Sequence, residues 1–215
     1  MDAIIDNADL YWEGFTTTLS LAVVSGALAL VLGTVLGAFR VSPIPPLRLA
    51  GAWYVETVRN TPLTVVFFFT VFVMPQVGIQ VPFYSSAVVA LSVYTAAFVC
   101  EAVRSGVNSV GVGQAEAARS IGLTFGQSLR HIILPQAFRT VIPPLINIFI
   151  ALTKNTSVAG GFFVAELFNV GRRLSNSLSD QVPWVLLGVA LFYLLITIPA
   201  GALAGWAERK AAFAR

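Results

Sequence analysis

The sequence has 215 residues, 57% of them hydrophobic and only 11% charged, with a net charge of +3. A water-soluble domain carries roughly 25% charged residues, so this composition, with a mean hydropathy of +0.82, excludes one and makes lipid the main solvent. Inside lipid every backbone N–H and C=O needs an internal partner, which leaves helices or closed barrels; the long apolar runs, such as Thr64–Met74, lack the alternation of barrel strands, so an all-α integral membrane protein is predicted.

In chain order, residues 1–14 carry Asp2, Asp6, Asp9 and Glu13 and no Lys or Arg. No cleavable leader is read there, because one begins with positive charge, and the charge distribution given below makes this an extracytoplasmic N-terminal segment. The rest, 15–210, reads as one membrane domain with a cytoplasmic tail at 211–215. Five spans are predicted, at about 16–39, 61–77, 85–103, 137–158 and 184–206, each near the roughly 20 residues that cross the hydrocarbon core. The second is short and could extend back into Glu56–Asn60. Gly33 and Gly37 in span one, and Gly201 and Gly205 in span five, are spaced for close helix approach, within the chain or against a second subunit. Glu56 and Arg59, and Glu101 and Arg104, are three apart and suited to pairing on one helix face, as ion pairs or as braces of a gate. Pro143-Pro144 predict a kink in span four. The lone Cys100 makes no intrachain disulfide, and the lone His131 sits beside Arg130 at the headgroups with no metal role.

Arg and Lys in short loops set orientation. Arg40, Arg48 and Arg59 follow span one. Arg104, Arg119, Arg130 and Arg139 follow span three, and Arg209, Lys210 and Arg215 follow span five. These ten of thirteen positive charges mark one side as cytoplasmic, so the N-terminus is expected outside and the C-terminus inside. Positive charge confined to loops between spans does not suggest nucleic acid.

The cytoplasmic loop 104–135 is long enough to suggest a job of its own. Within it, Gln114, Ala115, Glu116, Ala117, Ala118 and Arg119 favour a short helix, and Gly122 suits the left-handed residue that ends one. Alanines make this helix thin enough to enter a groove on a partner. Glu116-Ala117-Ala118, Gly122, Ile132 and Leu134-Pro135, at their spacing, resemble the EAA loop of bacterial ABC importer permeases. Glu56–Pro62, Glu101–Gly106, Pro143-Pro144 and Lys154–Ser157 resemble matching segments of the polar amino-acid uptake permeases, and the likeness covers about Phe15 to Lys210. Asn155 stands where many relatives have Asp; with Val58–Pro62 it looks most like glutamate-uptake permeases of actinobacterial type. The resemblance implies a type I ABC importer permease fold and a loop helix that docks on an ATP-hydrolysing subunit. It further implies an extracytoplasmic substrate-binding protein and a second permease chain, alike or homologous. No lysine follows a glycine, so the chain has no phosphate-cradling P-loop. No cofactor is expected here; ATP and Mg belong to the partner ATPase.

Lys154 lies 15 residues after Arg139, so roughly 22 Å along a helix. A charge that deep should face a cavity or a partner. Asn155, Thr156 and Ser157 follow, then Gly160-Gly161, a run able to unwind a helix and offer polar groups to a ligand. A carboxylate-binding site at Lys154–Ser157 is one reading. A lysine reaching the outer surface, or paired with Glu166, is the other. The leading function is an ABC importer permease for a polar amino acid, with a lean toward glutamate or another acidic one. The competing class is a self-sufficient carrier or channel; a mere membrane anchor leaves Lys154 unexplained.

Overall fold

The computed structural model describes residues 2–212, and among them every regular element is a helix. A one-turn helix, Asp2–Ile5, precedes α1 (Ala8–Val41). There follow α2 (Pro45–Arg59), α3 (Leu63–Gln76), α4 (Phe83–Asn108), α5 (Val112–Ser120), α6 (Phe125–Gly160), α7 (Leu167–Ser177) and α8 (Val182–Ala212). Four of them, α1, α4, α6 and α8, are long and apolar enough to cross a bilayer singly, and α2 with α3 forms a pair bent by 100°, a broken span or a re-entrant loop, which brings the number to five if it is one span. Residues 213–215 of the expected tail lie outside the described residues.

α1 begins eight residues before the expected span. Tyr11 is fully buried, donates its hydroxyl to the Val185 carbonyl at 3.0 Å, and stacks on Phe192. Gly188 makes room for the ring: a Cβ there would lie 2.8 Å from Tyr11 Cζ. Much of the N-terminal segment is therefore helix, anchored to α8.

The second span does not continue back through Glu56–Asn60. Asn60 caps α2, and Pro62 starts a new helix in another direction. Two π-helical stretches, Phe69–Val73 in α3 and Leu129–Ile133 in α6, each end two residues before a proline, Pro75 and Pro135. The wider turn relieves the clash between a proline ring and the carbonyl of the preceding turn. Pro143 and Pro144 do not divide α6 into separate helices.

Helix α4 is the axle. In its most apolar stretch 67% of residues are buried, against 17% in α6 and in α8. Gly33 and Gly37 of α1 face it directly: a Cβ on Gly33 would sit 2.5 Å from Val99 Cβ and 2.7 Å from the Ala96 carbonyl, and one on Gly37 2.8 Å from Val103 Cγ1. These glycines pack within the chain. Gly201 meets nothing within 4 Å, so the second glycine pair has no such role inside one chain. Lipid is as apolar as leucine, so close backbone approach and dispersion, not water exclusion, hold such helices together.

Candidate functional site

The run after Lys154 does break the helix. α6 ends its regular part at Asn155, Thr156 caps it, and a short turn Ser157–Gly160 leads out. The hydroxyls are spent locally. Thr156, fully buried, donates to the Thr153 carbonyl at 2.7 Å, and Ser157 donates to the Lys154 carbonyl at 2.7 Å. Lys154 is exposed on the single chain and makes no ion pair among the described residues.

Glu166 is not its partner. That carboxylate is fully buried and accepts from Asn169 N at 2.8 Å, Tyr193 Oη at 2.7 Å and Thr18 Oγ1 at 3.4 Å. It caps α7 and ties α1, α7 and α8 at one point. It lies between the spans, and burial pushes its carboxyl above the usual range, opposed by those hydrogen bonds. Gly160 packs against it without room for a side chain, and Asn169 donates to the Gly160 carbonyl at 3.0 Å. Phe163 is held in the left-handed region at φ 66°, a conformation costing of order 1–3 kcal/mol that packing must impose. The loop beyond Lys154 is thus pinned rather than slack.

Of the four residues expected at the substrate site, Asn155 reaches a cavity. It lines a volume of about 110 Å³ with Tyr94, Thr95, Phe98, Ile148 and Leu152. Sequence reasoning missed the α4 side of this cavity, although Tyr94 and Phe98 are one turn apart and their rings pack at 5.2 Å. Such a pair in an apolar span looks like ordinary packing until α6 is placed opposite.

One turn further along α4 from Phe98, Glu101 is a hub. It receives Arg104 at 2.8 Å and Arg40 at 3.1 Å, with Arg59 at 4.0 Å. The expected Glu101–Arg104 pair is present. The expected Glu56–Arg59 pair does not form: among the described residues Glu56 has no ion pair, and the Arg59 side chain instead leans toward α4, 4.0 Å from Glu101 and 5.3 Å over the Phe98 ring. Sequence spacing gave no sign of Arg40, which comes from another helix.

The loop 104–135 folds as expected locally. α5 spans Val112–Ser120, and Gly122 at φ 84° closes it, with Leu123 N bonding the Ala118 carbonyl at 3.1 Å and Gly122 N the Arg119 carbonyl at 3.0 Å. That paired bond pattern is a Schellman motif, which favours glycine at its left-handed position. Gln114, Glu116, Ala117 and Arg119 are exposed, Ala115 is half-buried, and Ala118 turns inward. Val112, Ile121 and Phe125 are each more than 70% exposed around this helix, an apolar rim that the chain does not cover itself. Among the described residues no three His, Cys, Asp or Glu side chains could hold a metal ion.

Residues 16–212 match the model of the binding-protein-dependent transport system inner membrane component family. The chain belongs to that family. It is a multi-pass inner-membrane protein of the type I ABC importer permease fold. It is 41% identical over 207 residues to the probable glutamine ABC transporter permease protein GlnM of Bacillus subtilis, covering 96% of this chain and 95% of that one. Over 199 residues it is 41% identical to the glutamate transport system permease protein GluC of Corynebacterium efficiens, covering 87% of each. A crystal structure of an amino acid ABC transporter with histidines superposes with a TM-score of 0.90 at 28% identity, covering 96% of both chains. Family members of this kind are permease subunits, which sets the self-sufficient carrier aside. Both glutamine and glutamate proteins stand among the relatives, so the likeness reaches amino acids as a class and not the acidic ones alone.

Proposed function

We propose that this chain is one half of the pore of an ATP-driven importer for a polar amino acid, with Lys154 and Asn155 meeting the substrate. The observation that carries this is the placement of an exposed Lys154, with no ion pair among the described residues, beside an Asn155 that lines a cavity where α6 breaks. An ammonium in a low-dielectric site attracts a carboxylate strongly, and every amino acid brings one. Thr156, fully buried, serves by holding the break in α6, and Ser157, part-exposed, holds it too and keeps lone pairs that can accept from the substrate. The cavity lining carries no charged side chain, so the lean toward glutamate or another acidic amino acid rests on Lys154 beside it and on the glutamate-type relatives.

Helix α6 carries this site yet is mostly uncovered in one chain, so a second permease chain, alike or homologous, completes the path. Gln114 to Arg119, closed by Gly122, form the knob that ATPase subunits grip, with the exposed Val112, Ile121 and Phe125 as its apolar rim. The chain has no ATPase site of its own; ATP and Mg bind the partner, and closure of two ATPase subunits drives alternating access. An extracytoplasmic binding protein delivers substrate. The N-terminus lies outside and the C-terminus in the cytoplasm.

The experiment is uptake of labelled glutamate and glutamine by the assembled transporter in proteoliposomes. Lys154→Ala abolishes uptake while the complex still assembles. Lys154→Arg impairs it, because a planar fork replaces a compact ammonium. Normal uptake by Lys154→Ala, with unchanged affinity and preference, removes Lys154 from the path.

A further inference from the structure

A cleft of about 400 Å³ opens where α1, α2 and α4 meet, lined by Arg40, Glu56, Arg59, Asn60, Phe98 and Glu101. Two arginines and two glutamates line it, but the charges are unevenly shared. Three guanidiniums, those of Arg40, Arg59 and, from behind the lining, Arg104, draw on the single carboxylate of Glu101. Glu56 is exposed and pairs with none of them. Arg40 Nη1 is buried and has no hydrogen-bond partner. Arg59 is loosely held, 4.0 Å from Glu101 with 45% of its side chain exposed. Guanidiniums present paired N–H groups that match an oxyanion in a planar fork, and a buried N–H left unpaired costs more than one that finds an acceptor.

The position of this cleft says which oxyanion. Phe98 lines both the arginine cleft and the Asn155 cavity, with Arg59 over its ring at 5.3 Å. One aromatic ring is all that the two volumes share as a wall, and an aromatic side chain swings on two bonds. We propose that the arginine cleft is a second binding site for the carboxylate of the transported amino acid, occupied after the Asn155 cavity once Phe98 moves aside, with Arg59 and Arg40 as its ligands. This rests on the reading of Lys154 and Asn155 given above. A carboxylate passed from one cationic site to the next avoids an unpaired charge in the low-dielectric interior. The phosphate of an anionic lipid has the same chemistry, but the wall shared with the Asn155 cavity favours the amino acid.

The test is equilibrium dialysis of labelled glutamate and glutamine against the purified complex of permease and ATPase, in nanodiscs of neutral lipid and of neutral lipid plus phosphatidylglycerol. Two sites per permease chain are expected in neutral lipid. Arg59→Gln weakens one of them tenfold or more and leaves the other; Lys154→Ala does the opposite. Arg59 is exposed and the Arg40–Glu101–Arg104 contacts do not need it, so the variant folds; Phe98→Leu, which keeps the partition apolar but smaller, gives faster exchange between sites as a second readout. One site, lost in Lys154→Ala and indifferent to Arg59→Gln, overturns this inference and leaves the proposed function standing. One site that depends on Arg59 alone supports the arginine cleft and overturns the Lys154 reading. Retention of phosphatidylglycerol that depends on Arg59, with no second amino-acid site, makes the cleft a lipid headgroup site and overturns the inference.

Discussion

Glu101 is the carboxylate on which three helices converge, and replacing it with glutamine separates the charges that need it from those that do not. The side chain of Arg40 is 16% exposed and that of Arg59 45%. With glutamine there, Arg59 and Arg104 can turn to water, whereas Arg40 keeps a buried, unpartnered Nη1 and exchanges its charged acceptor at 3.1 Å for at best a neutral amide oxygen. A hydrogen bond to a charged group is worth about 1.5–3 kcal/mol, and stranding a buried ionic partner costs at the upper end of that or beyond. Glu101→Gln is therefore expected to destabilise by about 2–3 kcal/mol, most of it through Arg40. A double-mutant cycle makes this specific. Coupling between residues 40 and 101, using Arg40→Gln, is expected at about 1.5 kcal/mol or more. Coupling between 59 and 101 should fall below about 0.5 kcal/mol, since exposed pairs at long range are worth little. The assay is reversible unfolding of the purified permease in mixed micelles, with the four proteins of each cycle measured together. Equal couplings, or a 40–101 coupling under about 0.5 kcal/mol, refute the claim that burial of Arg40 sets the energetics of the cluster.

Gly33→Ala should cost about 1–3 kcal/mol in the same assay, because the new Cβ meets the Ala96 backbone carbonyl at 2.7 Å and a backbone cannot step aside; Gly201→Ala, with nothing within 4 Å, should be neutral or slightly stabilising, and equal effects would remove the internal packing role of Gly33. Ala117→Glu places a charge on the exposed face of α5 and should abolish co-purification with the ATPase without affecting membrane insertion; retained binding and transport would mean that α5 does not dock. Cys100 is fully buried, so a cysteine introduced at Asp6 should be labelled by an impermeant maleimide from outside, and one at Gln127 only after the membrane is opened. The reverse pattern inverts the orientation. Gly160→Ala drives a methyl into the Glu166 carboxylate and should lower both stability and uptake, measured by thermal unfolding and transport; intact uptake would show that the pinned loop does not position Lys154.

Much of this molecule follows from covalent order alone. Runs of apolar residues must become helices in lipid because no water is there to satisfy the backbone, and the number of spans follows from their length. The Schellman ending at Gly122 and the break at Asn155–Thr156 are also local, since the bonds that make them join residues a few positions apart. Tertiary structure decided what depends on elements far apart in sequence. Glu166, a spare acid in the sequence, is consumed by Thr18 and Tyr193 from other helices, which leaves Lys154 with no ion pair among the described residues. Arg59 is drawn to Glu101 and Phe98 of α4 rather than to Glu56 on its own helix, a choice open to it only because α2 packs against α4. Tyr94 and Phe98 become a cavity wall only when α6 lies opposite them. A residue three positions along a helix is a neighbour by geometry, but a residue on another helix becomes one only when the whole bundle has chosen how to pack.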